Sequence, residues 1–205
     1  MNPFEIIAAK GRRVWDSRGR PTVEAEVLLA GGAVGRAIAP AGASTGAGEA
    51  VDRRDGGAAF GGHDVKGAVA AVGGDLAAAI RGQDARGQAA VDQAMIEADG
   101  SPDRRRLGAN AIVATSMAVA WAAANQAGEP LWRMLGGAQA SRMPLPEIQI
   151  FGGGAHAGRR VAVQDFLLVC PGAESFAEAL HGTAEVDRAA GGPMADGGAL
   201  CCAGE

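Results

Sequence analysis

Three observations predict an α+β fold for this chain of 205 residues. Apolar residues alternate with a period of two near the N-terminus, recur every three or four positions from residue 65 onward, and are punctuated by glycine and proline at the ends of each run. The arrangement these signals describe is a three-stranded antiparallel meander followed by helices.

The clearest strand is Thr22-Val23-Glu24-Ala25-Glu26-Val27-Leu28-Leu29. Val23, Ala25, Val27 and Leu29 share one face, and Thr22, Glu24 and Glu26 share the other, as in a half-buried strand. An apolar run near Ile6 to Trp15 precedes it, and the Gly31-Gly32 turn leads into a third strand over Ala33 to Ala39. The period then changes. Val65, Val69, Val72, Leu76 and Ile80 define a first helix, Val91 and Met95 open a second, and Gly82 and Gly100 close them. A third helix is predicted from about Leu107 to Gln126 and a short one from Pro130 to Leu135, with proline in its first turn and Gly136-Gly137 behind. Trp15, Trp121 and Trp132 fall on these apolar periodicities and are expected in the core.

Ser141-Arg142-Met143-Pro144-Leu145-Pro146 reads as a linker, because two prolines keep the chain extended, and it divides 1–140 from 141–205. Beyond it lie two short apolar runs, Ile148 to Phe151 and Val161 to Val169, then a helical stretch from Ala173 to about Ala190. From Gly191 the chain is Gly-rich and weakly patterned. This second segment buries too little to stand as a domain of its own.

Composition narrows the function classes. Glycine is abundant, 33 residues, against a usual share of about 7%, yet 48% hydrophobic and 20% charged residues permit a packed core. A net charge of −4 and a pI of about 5.4, with no basic stripe, argue against a nucleic-acid partner. The Arg104-Arg105-Arg106 triplet is expected to be a solvated turn. Cys170, Cys201 and Cys202 are too few and too clustered for a disulfide framework and lack zinc spacing, which favours a reducing, cytoplasmic setting. No secretory signal is visible at the N-terminus, and the apolar stretch from Ala109 to Ala127 carries Asn110, Thr115, Ser116, Asn125 and Gln126, so it suits a buried helix better than a membrane span.

Three segments offer chemistry. Pro40-Ala41-Gly42-Ala43-Ser44-Thr45-Gly46 is a Gly-rich loop after a strand, in which the glycines allow close backbone approach and Ser44 offers a hard oxygen ligand. Gly42 to Gly46 also fits the G-x-S-x-G pattern of a nucleophile elbow, so a serine hydrolase on Ser44 with His156 as base is an alternative. In Gly152-Gly153-Gly154-Ala155-His156-Ala157-Gly158-Arg159-Arg160, glycines on both sides expose an imidazole. Gln164 and Asp165 interrupt an otherwise buried strand, where a polar pair must be hydrogen-bonded or line a cavity. His63 and His181 lack such context and are expected to be solvated.

Several segments together resemble the enolase family, the phosphopyruvate hydratases. Val14-Trp15-Asp16-Ser17-Arg18-Gly19-Arg20-Pro21-Thr22-Val23-Glu24 is similar to that family's D-S-R-G-N-P-T-V-E signature. Ala43-Ser44-Thr45-Gly46 with Glu49-Ala50 and Arg54-Asp55, then Leu107-Gly108-Ala109-Asn110-Ala111-Ile112, Pro130-Leu131, Gly153-Gly154-Ala155-His156-Ala157 and Gln164-Asp165-Phe166, continue in the family's order. The resemblance implies an α+β N-terminal domain and the beginning of an enolase-type β/α barrel from near Pro144. It also implies reversible dehydration of 2-phosphoglycerate to phosphoenolpyruvate in glycolysis, with two Mg²⁺ ions, a lysine base and a homodimer or higher homo-oligomer.

Carried over residue by residue, the resemblance makes Ser44 a loop ligand to the second Mg²⁺. It sets His156 beside the substrate, has Gln164 hydrogen-bond it, lets Asp165 help handle the leaving hydroxyl, and makes Glu205 the proton donor to that hydroxyl. Among the departures from the family, Ala41 stands for Ser, Gly152 for Asn, Asp165 for Glu and Gly204 for the Asp before the acid. The only lysines are Lys10 and Lys66, both before the linker. The chain as it stands is therefore expected to be inactive, as a truncated product, a frameshifted product or the translation of an incomplete gene would be. A non-catalytic enolase-like protein acting through oligomerisation or surface binding is the other alternative.

Overall fold

The computed structural model describes residues 2–42, 46–154 and 161–196, with the backbone alone for 192–196. The chain divides into two compact units, Met1–Ala140 and Ser141–Glu205.

The first unit opens with strands β1 (Ile6–Trp15), β2 (Pro21–Leu29) and β3 (Val34–Ala39), paired antiparallel in that order. The Asp16-Ser17-Arg18-Gly19-Arg20 signature is the β1–β2 turn. One Asp16 carboxylate oxygen accepts from the amides of Arg20 at 2.8 Å and Arg18 at 2.9 Å, and the Asp16 amide donates to the Arg20 carbonyl. The Arg20 amide, helped by that of Arg18, holds the Asp16 carboxyl below its ordinary range against the opposing push of desolvation.

Helix α1 (Lys66–Ala71), a π turn (Val72–Leu76) and α2 (Ala77–Ile80) follow one another without a break, and α3 (Gln88–Asp99), α4 (Ala109–Ala127) and α5 (Leu131–Gly136) complete the unit. The long third helix starts two residues later than its apolar pattern predicts, because Gly108 has φ +102°, outside the helical region. Val23, Ala25, Val27 and Leu29 of β2 are fully buried, as the alternation requires, and they face Val72, Leu76, Ile80 and the alanines of α4 in one core. Small residues set its thickness. A Cβ on Gly35 of β3 would lie 2.0 Å from the Ala118 carbonyl oxygen and 2.2 Å from the Ala122 nitrogen, so only glycine lets α4 settle onto the sheet.

The tryptophans correct the sequence reading. Trp15, Trp121 and Trp132 are about half exposed rather than in the core. Trp121 lies on the outer face of α4 with Val113 and Met117, while Ala111, Ala114, Ala118 and Ala122 take the inner face. In a helix that is apolar on nearly every side, periodicity does not distinguish the two. Trp15, at the end of edge strand β1, stacks with the Arg13 guanidinium and meets Phe60 edge-on at 6.4 Å. Arg13 in turn pairs with buried Asp64 at 2.9 Å. The arginine triplet lies in a solvated turn, as expected, with Arg105 and Arg106 exposed; Arg105 pairs with Asp103, and Arg106 donates to the carbonyls of Ala98 and Asp99 and pairs with Asp75 at 2.8 Å.

The second unit contains strands β4 (Glu147–Gly152) and β5 (Asp165–Val169), an antiparallel pair, and helix α6 (Phe176–Asp196). Ser175 starts α6, its hydroxyl accepting from the Glu178 amide while Glu178 accepts from the Glu174 amide. The helix continues past the Gly191-Gly192 pair to Asp196. Val163, Phe166, Leu167, Phe176, Leu180 and Val186 are exposed, so the strands of this unit are not the buried run that their composition predicts. Among the described residues of this unit, two paired strands and one helix offer no second layer to cover both faces. Among the described residues no helix is long and apolar enough to cross a membrane.

Candidate functional site

Of the sequence-predicted site residues, Gln164 and Asp165 lie among the described residues. Ser44, His156 and Glu205 lie outside them.

Gln164 and Asp165 do not interrupt a buried strand. Residues 161–164 precede β5, Asp165 is its first residue, opposite Gly152, and both polar side chains are exposed. The expectation that the pair must be hydrogen-bonded or line a cavity therefore loses its premise, since water satisfies exposed polar groups. A glycine-dependent junction holds them in place. The Gly153 amide donates to the Gln164 carbonyl at 2.6 Å and the Gly154 amide to the Val161 carbonyl at 2.8 Å. A Cβ on Gly153 would fall 1.8 Å from the Val163 carbonyl oxygen, and Gly154 has φ +56°. The Gly152-Gly153-Gly154 run therefore brings two strand ends together and holds Gln164 and Asp165 beside Gly153 and Gly152.

The loop that carries Ser44 has its flanks described on both sides. Downstream, Gly46 and Glu49 close a turn, in which the Gly46 amide donates to a Glu49 carboxylate oxygen at 2.8 Å. The chain then runs through Val51 to Asp55 as a strap without regular secondary structure. The Arg54 guanidinium donates to the carbonyls of Pro21 and His63, and Asp55 accepts from the amides of Lys66 and Gly67 at 2.6 and 2.9 Å, capping α1. Arg54-Asp55 in the signature thus ties the strap to β2 and to α1. Sequence reading missed this, because a cap donated from eleven residues upstream leaves no local pattern.

A Mg²⁺ ion takes several oxygen ligands, usually with one or two carboxylates. Among the described residues no group of three or more His, Cys, Asp or Glu side chains is placed to hold a metal, so these residues by themselves do not fit the ion. The two lysines offer no base near Gln164 and Asp165 in the sequence or in the second unit. Lys10 is exposed on β1, and Lys66, exposed at the start of α1, has its Nζ 3.6 Å from Asp64. His63 and His181 are not buried, as their sequence context predicts.

Family models and relatives agree with the order of these segments. The model described as "Enolase, N-terminal domain" matches residues 6–135, and "Enolase, C-terminal TIM barrel domain" matches residues 140–190. The chain is similar to the "Enolase" of Rubrobacter xylanophilus, 53% identical over 183 residues that make up 89% of this chain and 43% of the relative. It is also similar to "Enolase 1" of Desulfitobacterium hafniense, 47% identical over 190 residues, 93% of this chain and 44% of the relative. The chain thus spans less than half the length of these relatives. With both halves of the family pattern matched in sequence order, and with the meander, the helices and the first barrel strands in place, the chain belongs to the enolase family.

Proposed function

We propose that this chain is the N-terminal domain and first barrel strands of a Mg²⁺-dependent lyase that reversibly dehydrates 2-phosphoglycerate to phosphoenolpyruvate in glycolysis, as a cytoplasmic homodimer or higher homo-oligomer. The observation that carries this reading is the continuous match to both enolase family models, over residues 6–135 and then 140–190. In this reading Gln164, exposed just before β5, hydrogen-bonds the substrate, and Asp165, the exposed first residue of β5, helps handle the leaving hydroxyl. His156 lies beside the substrate, Ser44 is a loop ligand to metal, and Glu205 is the proton donor. The domain division at residues 140 and 141 separates the loop-bearing domain from the barrel strands.

By itself the chain is inactive in this proposal, since Lys10 and Lys66 are both remote in sequence from the Gln164-Asp165 segment and no metal-holding cluster occurs among the described residues. The test is a chimera in which residues 1–190 are followed by the C-terminal part of the Rubrobacter xylanophilus relative that has no counterpart here. Phosphoenolpyruvate formation from 2-phosphoglycerate, followed by ultraviolet absorbance with and without Mg²⁺, is expected for the chimera and not for the chain alone. A chimera that melts cooperatively but forms no phosphoenolpyruvate, beside an active relative, overturns the proposal.

A further inference from the structure

Asn110, the second residue of α4, is 2% exposed, yet its carboxamide does not serve its own helix alone. Its Oδ1 accepts from the Arg53 amide at 3.1 Å and its Nδ2 donates to the Arg53 carbonyl at 3.2 Å, so one side chain pairs with both polar groups of a single residue of the strap. The same Oδ1 accepts from the Ala111 amide at 3.1 Å, which fixes the rotamer. Two backbone bonds flank the pair: the Val51 amide donates to the Asp103 carbonyl at 2.8 Å, and the Ala109 amide donates to the Val51 carbonyl at 2.9 Å. Gly108 makes the approach possible, because a Cβ there would lie 2.5 Å from the Arg53 Cβ and 2.9 Å from the Arg53 nitrogen.

We infer that Asn110 is a positioning residue: through the Arg53 peptide it fixes the stem, Gly46 to Arg53, by which the Gly-rich loop re-enters the fold. The inference rests on the dehydratase reading for its catalytic consequence, but its structural half stands without it. An exposed strap would lose little on losing one bond. Here the carboxamide is buried and bidentate, and it replaces the ladder that a strand neighbour would otherwise provide.

Two measurements test it. In the chimera, Asn110→Ala is compared with Val91→Ala, a core truncation on α3 that bonds to no residue of the strap. Each is assayed well below its own melting temperature. Asn110→Ala is expected to lower kcat/KM by about tenfold or more, since the dehydratase reading gives the loop a metal ligand and small misplacements of such a group are costly. Val91→Ala is expected to lower the melting temperature while leaving kcat/KM near the parent value. A kcat/KM within about twofold of the parent for Asn110→Ala, or an equal loss in Val91→Ala, overturns the inference. Hydrogen exchange on the chain itself decides the structural half even if the chimera is inactive. Asn110→Ala is expected to speed exchange at the Glu49, Val51 and Arg53 amides and to spare those of Val119 and Ala122 in α4. Uniform acceleration, or none at the strap, refutes it.

Discussion

Replacing Gly35 with alanine tests the packing on which the first unit depends. The added Cβ would meet the Ala118 carbonyl oxygen at 2.0 Å, where ordinary contact begins at 3.4 Å, so β3 and α4 must separate locally by about 1.4 Å. The obstruction is helix backbone rather than the end of a flexible side chain, and it cannot swing aside. Moving the 19-residue α4 would loosen its seat over β2, where Val23, Ala25, Val27 and Leu29 are fully buried. Overpacking of a core costs about 1–3 kcal/mol, and a backbone clash belongs at the upper end, about 3 kcal/mol. For a unit of this size that is a fall of roughly 10 °C in melting temperature. Thermal unfolding of the purified chain, followed by far-ultraviolet circular dichroism, measures it directly. A Gly35→Ala variant melting within about 2 °C of the parent would refute the close seating of α4 on β3.

Two further substitutions probe the same unit. Gly73 sits on the exposed face of the π turn, where an added Cβ would find nothing within 4 Å and φ is not left-handed, so Gly73→Ala is expected to stabilise by about 0.5–1 kcal/mol, read as a small rise in melting temperature; a fall would contradict the open surface there. Asp64 is a depressed carboxylate: burial pushes its pKa up, but the Arg13 guanidinium, the Val65 amide and Lys66 outweigh it and hold the group below its ordinary value. Such a group adds stability above its unfolded pKa, about 3.9, and that stability is lost as pH falls through the folded value. Asp64→Asn is therefore expected to melt lower than the parent at pH 7 and to lose less on acidification below about pH 4, where coincident acid limbs would argue against the Arg13–Asp64 pair as a source of pH-dependent stability.

Much of this protein is legible without coordinates. Alternation over Thr22 to Leu29 places β2 and its buried face correctly, because a two-residue period has one interpretation when one face is polar. The motif order from Asp16-Ser17-Arg18-Gly19 to Gln164-Asp165-Phe166 identifies the family, because motifs spread over the chain rarely coincide in one order by chance. Within the candidate site, the sequence marks Gln164 and Asp165 as residues of interest but misjudges their setting, since composition does not say whether a short apolar run has a second layer above it.

What the tertiary structure alone decides is which apolar face is inner and which distant groups meet. α4 is apolar nearly all round, so only its seat on β3 separates Ala118 and Ala122 from Trp121. Asn110 reads in sequence as a polar intruder in an apolar helix, and only the approach permitted by Gly108 turns it into the partner of Arg53, 57 positions upstream. Local pattern encodes period and turn chemistry, whereas a contact across that separation depends on how the chain closes on itself. The first is written along the chain and the second only in the fold.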